Sequence, residues 1–121
     1  MENQFIGRIG EDAAQKYLLD KRYVIVGKNF RAKRYREVDI IAQHPDGERL
    51  VFVEVKTRLT NEYGLPEEAV GLRKLRELKK MVDYYYNIYP NKYSPQIDVI
   101  AIMLTPEYHT QELRHLENVT L

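Results

Sequence analysis

The sequence predicts an α/β domain, in which two amphipathic helices accompany several β-strands. Apolar residues recur at spacings of three and four over roughly residues 3 to 20, and again over roughly Glu67 to Tyr89. Between and after these segments lie runs rich in β-branched residues, which favour extended structure. With 121 residues the chain has the length of one domain, so we expect a single domain over residues 1 to 121.

Three strands are expected between the helices and a fourth after the second helix, which gives the order α-β-β-β-α-β. The expected strands are Tyr23 to Lys28, Glu37 to Ala42, Leu50 to Arg58 and Gln96 to Leu104. A last edge strand is expected at Leu113 to Leu121. The turn signal His44-Pro45-Asp46-Gly47 follows the second strand, so a hairpin is the simplest connection to the third.

The composition is typical of a globular protein and excludes several chemistries. No apolar run approaches the roughly 20 residues that a bilayer crossing needs. The chain has no cysteine, which excludes disulfides, thiolate metal sites and a cysteine nucleophile. Residues 1 to 10 lack the pattern of a secretory signal, so we expect a cytoplasmic protein. P-loop, dinucleotide-binding and zinc motifs are absent from the sequence, and His44, His109 and His115 are expected to be ordinary surface residues.

The third expected strand carries charged residues inside a run that otherwise resembles a buried strand. Its valines alternate with Glu54 and Lys56, so these two side chains share one face and are separated by about 6.5 Å of backbone. A buried carboxylate without a partner is costly, so it needs a reason. Asp39 is likewise surrounded by apolar residues in the neighbouring strand. Two acids in adjacent buried strands indicate a site, whereas one alone would fit a structural ion pair.

Glu11 is a third acid that could join this site. It lies at the edge of the apolar stripe of the first helix, where its neighbours Gly7 and Ala14 are small, so its carboxylate can lean toward the protein. The alternative is a solvated helix glutamate. Carboxylate oxygens are the ligands that magnesium or manganese prefers, and such an ion next to Lys56 would support phosphodiester hydrolysis.

A basic segment follows the first expected strand. Lys28 to Arg36 carries five basic residues and no acid, and Phe30 and Tyr35 are interleaved with them. Cations of this kind meet phosphates and rings stack on bases, so the segment suits nucleic acid. A solvated hairpin surface is the alternative. The tyrosines at 84, 85, 86, 89 and 93 could also stack bases, although packing in a core or an interface is their commoner role.

Four segments together resemble the YraN-type bacterial family, which is related to archaeal Holliday junction resolvases. They are Gly7-Arg8-x-Gly10-Glu11-x-Ala13-Ala14, Asn29-Phe30-Arg31, Glu37-Val38-Asp39-Ile40-Ile41-Ala42 and Val51-Phe52-Val53-Glu54-Val55-Lys56-Thr57-Arg58. The chain departs from the family pattern at Arg36, where a glycine usually precedes the Glu-x-Asp motif. The change removes a flexible turn and adds a charge, but every acid of the pattern is present.

The resemblance implies a restriction-endonuclease-like fold of the PD-(D/E)XK nuclease superfamily, with a central mixed β-sheet flanked by helices, often in a homodimer. Carried over by position, it implies that Asp39, Glu54 and Glu11 bind magnesium or manganese and that Lys56 is the catalytic lysine. Lys74 matches a lysine of the second helix that contacts phosphate. The implied activity is a metal-dependent DNA endonuclease, structure-selective on branched DNA in recombination or repair.

Two other hypotheses stay open beside the nuclease. One is a nucleic-acid-binding module that uses the fold without cutting, supported by the basic segment and by Arg73, Arg76 and Lys80 of the second helix. The other is a cytoplasmic scaffold whose tyrosine-rich helix packs against another protein. The candidate nucleic-acid-binding residues are Arg31, Lys33, Arg34, Arg36, Arg58 and Lys74.

Overall fold

A computed structural model describes residues 2–32, 36–60 and 64–119 of the chain. The elements follow the expected order, including the last edge strand. They are α1 (Glu2–Asp20), β1 (Val24–Arg31), β2 (Glu37–Gln43), β3 (Arg49–Leu59), a 3₁₀ turn (Pro66–Ala69), α2 (Leu72–Ile88), β4 (Ser94–Leu104) and β5 (Thr110–Leu116). The expected α/β fold with a mixed sheet flanked by helices is confirmed.

The strands of the described residues form one five-stranded sheet in the order β1-β2-β3-β4-β5. β3 and β4 are parallel, while the other neighbouring strands pair antiparallel. A parallel pair needs a crossover connection, and the 3₁₀ turn with α2 supplies it on one face of the sheet. α1 covers the opposite face, so the central strands are buried on both sides.

The alternation along β3 assigns its side chains to these two faces. Val51 and Val53 pack with Leu18 of α1 in one core cluster. Phe52 points the other way and packs with Leu78 of α2 in a second cluster. All five of these side chains are fully buried. A strand covered on both faces has a nearly continuous apolar sequence, which makes the charged residues further along β3 conspicuous.

α1 lies close to β3 because Gly10 has no side chain. A Cβ atom at this position would lie 1.8 Å from Oγ1 of Thr57 and 2.8 Å from its Cβ. At Gly7, one turn earlier, an added Cβ would meet no atom of the described residues within 4 Å. The close approach at Gly10 therefore holds the next residue, Glu11, near the sheet.

Three elements have a boundary that differs from the expected one by three residues or more. β1 continues to Arg31, because an edge strand tolerates basic side chains on its solvent face. The second α-helix begins at Leu72 and not at Glu67, because the backbone of Gly71 is extended and separates the helix from the 3₁₀ turn. β5 runs from Thr110 to Leu116, so it starts and ends earlier than expected. Residues 120 and 121 lie outside the described residues.

Neither α1 nor α2, the α-helices of the described part of the chain, has the length and apolar character that a membrane crossing requires.

Candidate functional site

β2 and β3 part at the level of Asp39. Their backbone pairing starts at Gln43 and Leu50 and ends at Ile40 and Val53. If the ladder continued in the same register, the backbone of Val55 would pair with that of Val38. Instead, Oδ2 of Asp39 accepts a hydrogen bond of 2.8 Å from the backbone N–H of Val55. The Asp39 side chain is therefore built into the sheet, between two strands that have begun to separate.

Glu54 lies next to Asp39, and the two carboxyl groups share a hydrogen bond. Such a bond requires a proton on one of them. Burial raises the pKa of both groups, and repulsion by Asp39 raises the pKa of Glu54 further. The shared bond raises the pKa of Glu54 and lowers that of Asp39. The Glu54 side chain is only 7% exposed, which explains the dominance of burial.

Two lysines offset part of the free-energy cost of burying the charged forms of Asp39 and Glu54. Nζ of Lys74 on α2 lies 3.7 Å from Oε2 of Glu54. Lys56 is two residues from Glu54 and therefore on the same face of β3. Both ammonium groups lower the pKa of Asp39 and of Glu54, against the larger effect of burial. Two acids and two lysines thus meet where β2 and β3 part.

Glu11 approaches Asp39 from α1. Burial and then repulsion by Asp39 and Glu37 raise the pKa of Glu11 to about 7, while Lys28 lowers it. Asn29 holds this side chain in place. With its amide nitrogen facing the two carboxylates, Asn29 donates to Oε1 of Glu11 at 3.2 Å and to Oε1 of Glu37 at 2.9 Å. This surrounding of acids and one amide is unlike that of a solvated helix glutamate.

The three acids expected to bind a metal are not gathered at one point. Glu11 comes from the α1 side of the sheet and Glu54 from the α2 side, with Asp39 between them. Among the described residues, one group of three or more acids and histidines has its ligand atoms within 4.8 Å of one another. That group is Asp98, His115 and Glu117. Glu11 therefore does not form such a ligand group with Asp39 and Glu54 among the described residues.

The Asp98 group lies on the α1 side of β4 and β5 and could hold a metal ion. Nε2 of His115 is 2.7 Å from Oδ2 of Asp98, and the Tyr17 hydroxyl is 3.0 Å from Nδ1 of His115. Oδ1 of Asp98 accepts hydrogen bonds of 2.9 Å from Nε2 of Gln96 and from the backbone N–H of Asn118. The polar atoms of the Asp98 and His115 side chains are thus satisfied by protein groups.

The expectation that His115 is a surface residue is wrong, because its side chain is only 8% exposed. The sequence contains a signal for this cluster. Asp98 stands between Ile97 and Val99 in an apolar strand, which is the same pattern that singled out Asp39. Its partner His115 is 17 positions away on β5, and Tyr17 is far earlier in the chain, so the partners do not follow from spacing.

The candidate nucleic-acid-binding residues lie around the site on several elements. Arg31 is near the exposed end of β1, 3.7 Å from Glu37. Arg36 directly precedes β2, and Lys74 contacts Glu54. Arg58 and Lys56 line a cavity near the end of β3, to which α1 and Ala69 of the 3₁₀ turn also contribute. Lys33 and Arg34 lie outside the described residues.

The fold and the site define an α/β protein with a mixed sheet, in which two central strands part around a buried acid pair. The chain belongs to UPF0102: the family described as "Uncharacterised protein family UPF0102" matches residues 10–102. The resemblance to the YraN-type family is therefore confirmed. The matched span contains Glu11, Asp39, Glu54, Lys56 and Lys74.

Relatives of this family match over nearly the whole chain. The UPF0102 protein of Thermodesulfovibrio yellowstonii is 41% identical over 113 residues, which cover 93% of each chain. That of Caldanaerobacter subterraneus is 40% identical over 115 residues, covering 93% of this chain and 92% of the relative. That of Clostridium acetobutylicum is 38% identical over 117 residues, covering 96% and 93%.

Proposed function

We propose that this protein is a metal-dependent endonuclease that hydrolyses phosphodiester bonds of DNA in the cytoplasm, during recombination or repair. The observation that carries the proposal is the buried Asp39–Glu54 pair at the point where β2 and β3 part. Burying two acids together costs stability, because each raises the cost of ionising the other. Groups with such shifted pKa values concentrate at functional sites.

The donor set fits a magnesium or manganese ion. Asp39 and Glu54 would hold it with hard carboxylate oxygens, and Glu11 would complete the shell. The repulsion by Asp39 that raises the pKa of Glu54 marks a position where positive charge is favoured. Asp39 is fixed by the N–H of Val55 and Glu54 by its place in a buried strand, so both donors are held rigidly. A bound divalent ion supplies neutralisation of phosphate charge and a lower pKa for water.

The chain's own cations would bind and orient the substrate. Lys56 and Lys74 already stand at the acid pair, where their ammonium groups can bind a phosphate and stabilise the negative charge that develops during hydrolysis. Arg36, directly before β2, and Arg58, near the end of β3, would bind flanking phosphates. These contacts hold the scissile bond against the acids and leave the chemistry to a water oriented there.

A cleavage assay tests the proposal. A four-way junction, a flap and a plain duplex are incubated with the protein in magnesium or manganese, alongside Asp39→Asn. We expect wild type to cut and Asp39→Asn to be inactive. Asp83→Asn, which alters an exposed acid of α2, serves as the matched control and should cut like wild type. Equal cleavage by wild type and Asp39→Asn would point to a contaminating nuclease and end the proposal.

A nucleic-acid-binding module that does not cut is the second candidate. It is favoured by the separation of Glu11 from Glu54, which leaves the three acids short of a complete ligand group. Binding that persists in chelator and weakens steeply with salt, with no cleavage in any metal, would support it.

A homodimer would suit either function on branched DNA, because a twofold protein presents two equal sites to two strands. Sedimentation at low protein concentration tests whether the homodimer forms.

A further inference from the structure

A groove between β1 and α2 carries features that the hydrolytic site does not use. We define this β1–α2 groove by Phe30, Arg31, Arg36, Lys80, Tyr84 and Tyr89, which line two adjoining cavities. α2 covers β2, while β1 forms the edge of the sheet, so the groove opens along the exposed side of β1.

A row of aromatic rings runs along this groove. Tyr89 lies 5.0 Å from Tyr85, Tyr85 lies 5.2 Å from Phe30, and Phe30 lies 6.0 Å from Tyr84, measured between ring centroids. Tyr84 is 37% exposed and Tyr89 is 54% exposed, so the two ends of the row present ring surface to solvent. Rings exposed in this way can stack on unpaired bases, whereas the bases of a duplex are already stacked on each other.

The charge of the groove favours a polyanion. Arg31, Arg36 and Lys80 line it, and no Asp or Glu is among its described lining residues. A second copy of this chain is a poorer occupant. In a twofold dimer the same surface faces itself, so these cations would oppose one another across the interface. A strand with one phosphate per nucleotide meets the cations and the rings at once.

The groove leads to the acid pair. Arg36 precedes Asp39 by three residues, at the start of β2. Lys80 follows Lys74 by six residues, which is about 9 Å along α2, and Lys74 contacts Glu54. A strand bound in the groove would therefore run toward the site proposed for hydrolysis.

We infer that the β1–α2 groove binds a single-stranded DNA segment and feeds it to the acid pair, so that the substrate carries unpaired nucleotides beside the scissile bond. Tyr84 and Tyr89 stack on bases, and Arg31, Arg36 and Lys80 bind phosphates. This inference rests on the proposed function only for the role of the acid pair. Binding in the groove needs neither metal nor cleavage.

Fluorescence anisotropy in chelator measures this binding without cleavage. A fluorescein-labelled oligothymidylate is compared with a duplex of the same length and with oligouridylate. We expect the single DNA strand to bind most tightly. Tyr84→Ala and Tyr89→Ala should each weaken binding roughly tenfold. Lys80→Ala should reduce the slope of log affinity against log salt by about 0.7, because one phosphate contact is lost.

Lys79→Ala is the matched control, since Lys79 is exposed on the opposite flank of α2, and it should bind like wild type. Melting curves check that each variant is folded. If a tyrosine variant does not fold, Lys80→Ala still tests the inference, because Lys80 is an exposed side chain. Equal or tighter binding of the duplex or of RNA would overturn the inference, as would unchanged affinity in folded Tyr89→Ala and Lys80→Ala. Single-strand binding without cleavage of any substrate would instead refute only the proposed nuclease.

Discussion

The carboxylate of Asp39 takes the place of a backbone partner for Val55, accepting its N–H at 2.8 Å where the β2–β3 ladder has ended. The sheet therefore opens without leaving this donor unsatisfied. The same side chain is then held against Glu54, in a surrounding that raises the pKa of both acids. The gap in the sheet and the acid pair are thus one feature.

Asp39→Asn should raise the stability of the protein while abolishing cleavage. Asparagine keeps an acceptor for Val55 and a donor for Glu54, and it removes the repulsion between two buried acids. In chelator at mildly alkaline pH, we expect a gain of roughly 1 kcal/mol, or a few degrees in Tm. Thermal melts followed by circular dichroism measure it. A melting temperature below that of wild type would show that the pair stabilises the fold instead of burdening it.

Stability should fall as the pH rises through the neutral range. The pKa of Glu11 is raised from 4.5 to about 7, so the folded state binds this proton more tightly than the unfolded state. The resulting stability is fully present below about pH 4.5 and is lost as the pH rises through about 7. The pKa values of Asp39 and Glu54 are also raised, so these acids add to the loss of stability with rising pH.

Urea unfolding across this pH range in chelator measures the effect, and Glu11→Gln should flatten the curve. Glu48→Gln, at an exposed position in the β2–β3 turn, is the control and should leave the slope unchanged. An equal slope in wild type and Glu11→Gln would place the titration elsewhere. Asp46 has the opposite effect on stability, but only in the acid range. Its pKa is lowered from 3.8 to about 2, chiefly by the backbone N–H of Glu48, so the stability it contributes is lost as the pH falls toward 2.

Lys74→Met should shift the dependence of cleavage on pH. Lys74 lowers the pKa of both acids, so its loss raises them and fewer acid pairs are ionised at neutral pH. At subsaturating metal, where protons compete with the ion for the acid pair, we expect the acid limb of the rate profile to move to higher pH. Rates measured over a pH series test this, with Lys79→Met as the control. An unchanged acid limb with a uniformly lower rate would indicate that Lys74 acts on the substrate alone.

Gly10→Ala should destabilise the protein because the new methyl group would overlap the Thr57 side chain. We expect a loss of about 2 kcal/mol in the free energy of unfolding. Gly7→Ala, in the same helix but facing open space, should instead stabilise by about 1 kcal/mol. Thr57→Gly in the Gly10→Ala background should restore part of the loss. Equal effects of the two glycine substitutions would contradict the close packing of α1 on β3.

His115→Ala separates the Asp98 group from the proposed site. It leaves the fully buried carboxylate of Asp98 without its partner at 2.7 Å, so we expect a loss of roughly 3 kcal/mol in unfolding free energy. At a temperature where the variant is folded, the dependence of cleavage on manganese concentration should match wild type. A large change in that dependence would instead mean that the Asp98 group holds the metal that the reaction needs.

The sequence predicts the two faces of a strand well where apolar and charged residues alternate with a period of two. The valines of β3 alternate with Glu54 and Lys56, and this alternation alone assigns core and charge to opposite faces of the strand. The start of α2 is harder to predict, because Glu67 and Glu68 are typical of a first helical turn and only the extended backbone of Gly71 separates them from it. The hydrogen bond of Asp39 to Val55 does not follow from the sequence, since it depends on where the β2–β3 ladder ends.

The site's partners across the sheet are only partly visible in the sequence. Glu11 stands out as a neighbour of small helical residues, but its separation from Glu54 by the sheet follows from the packing of Gly10 on Thr57. Asn29, which bridges Glu11 and Glu37, stands in a segment that resembles the family, but its sequence position does not indicate a contact with these two acids. Its backbone is left-handed, with φ of +51°, a conformation that no spacing of residues reveals.

A crystal structure with manganese, located by its anomalous scattering, tests the central claim most directly. We expect a peak within about 2.0 to 2.3 Å of carboxylate oxygens of both Asp39 and Glu54, with the Asp39→Asn variant lacking it. A peak at Asp98 and His115 with none between Asp39 and Glu54, at saturating manganese, would contradict it.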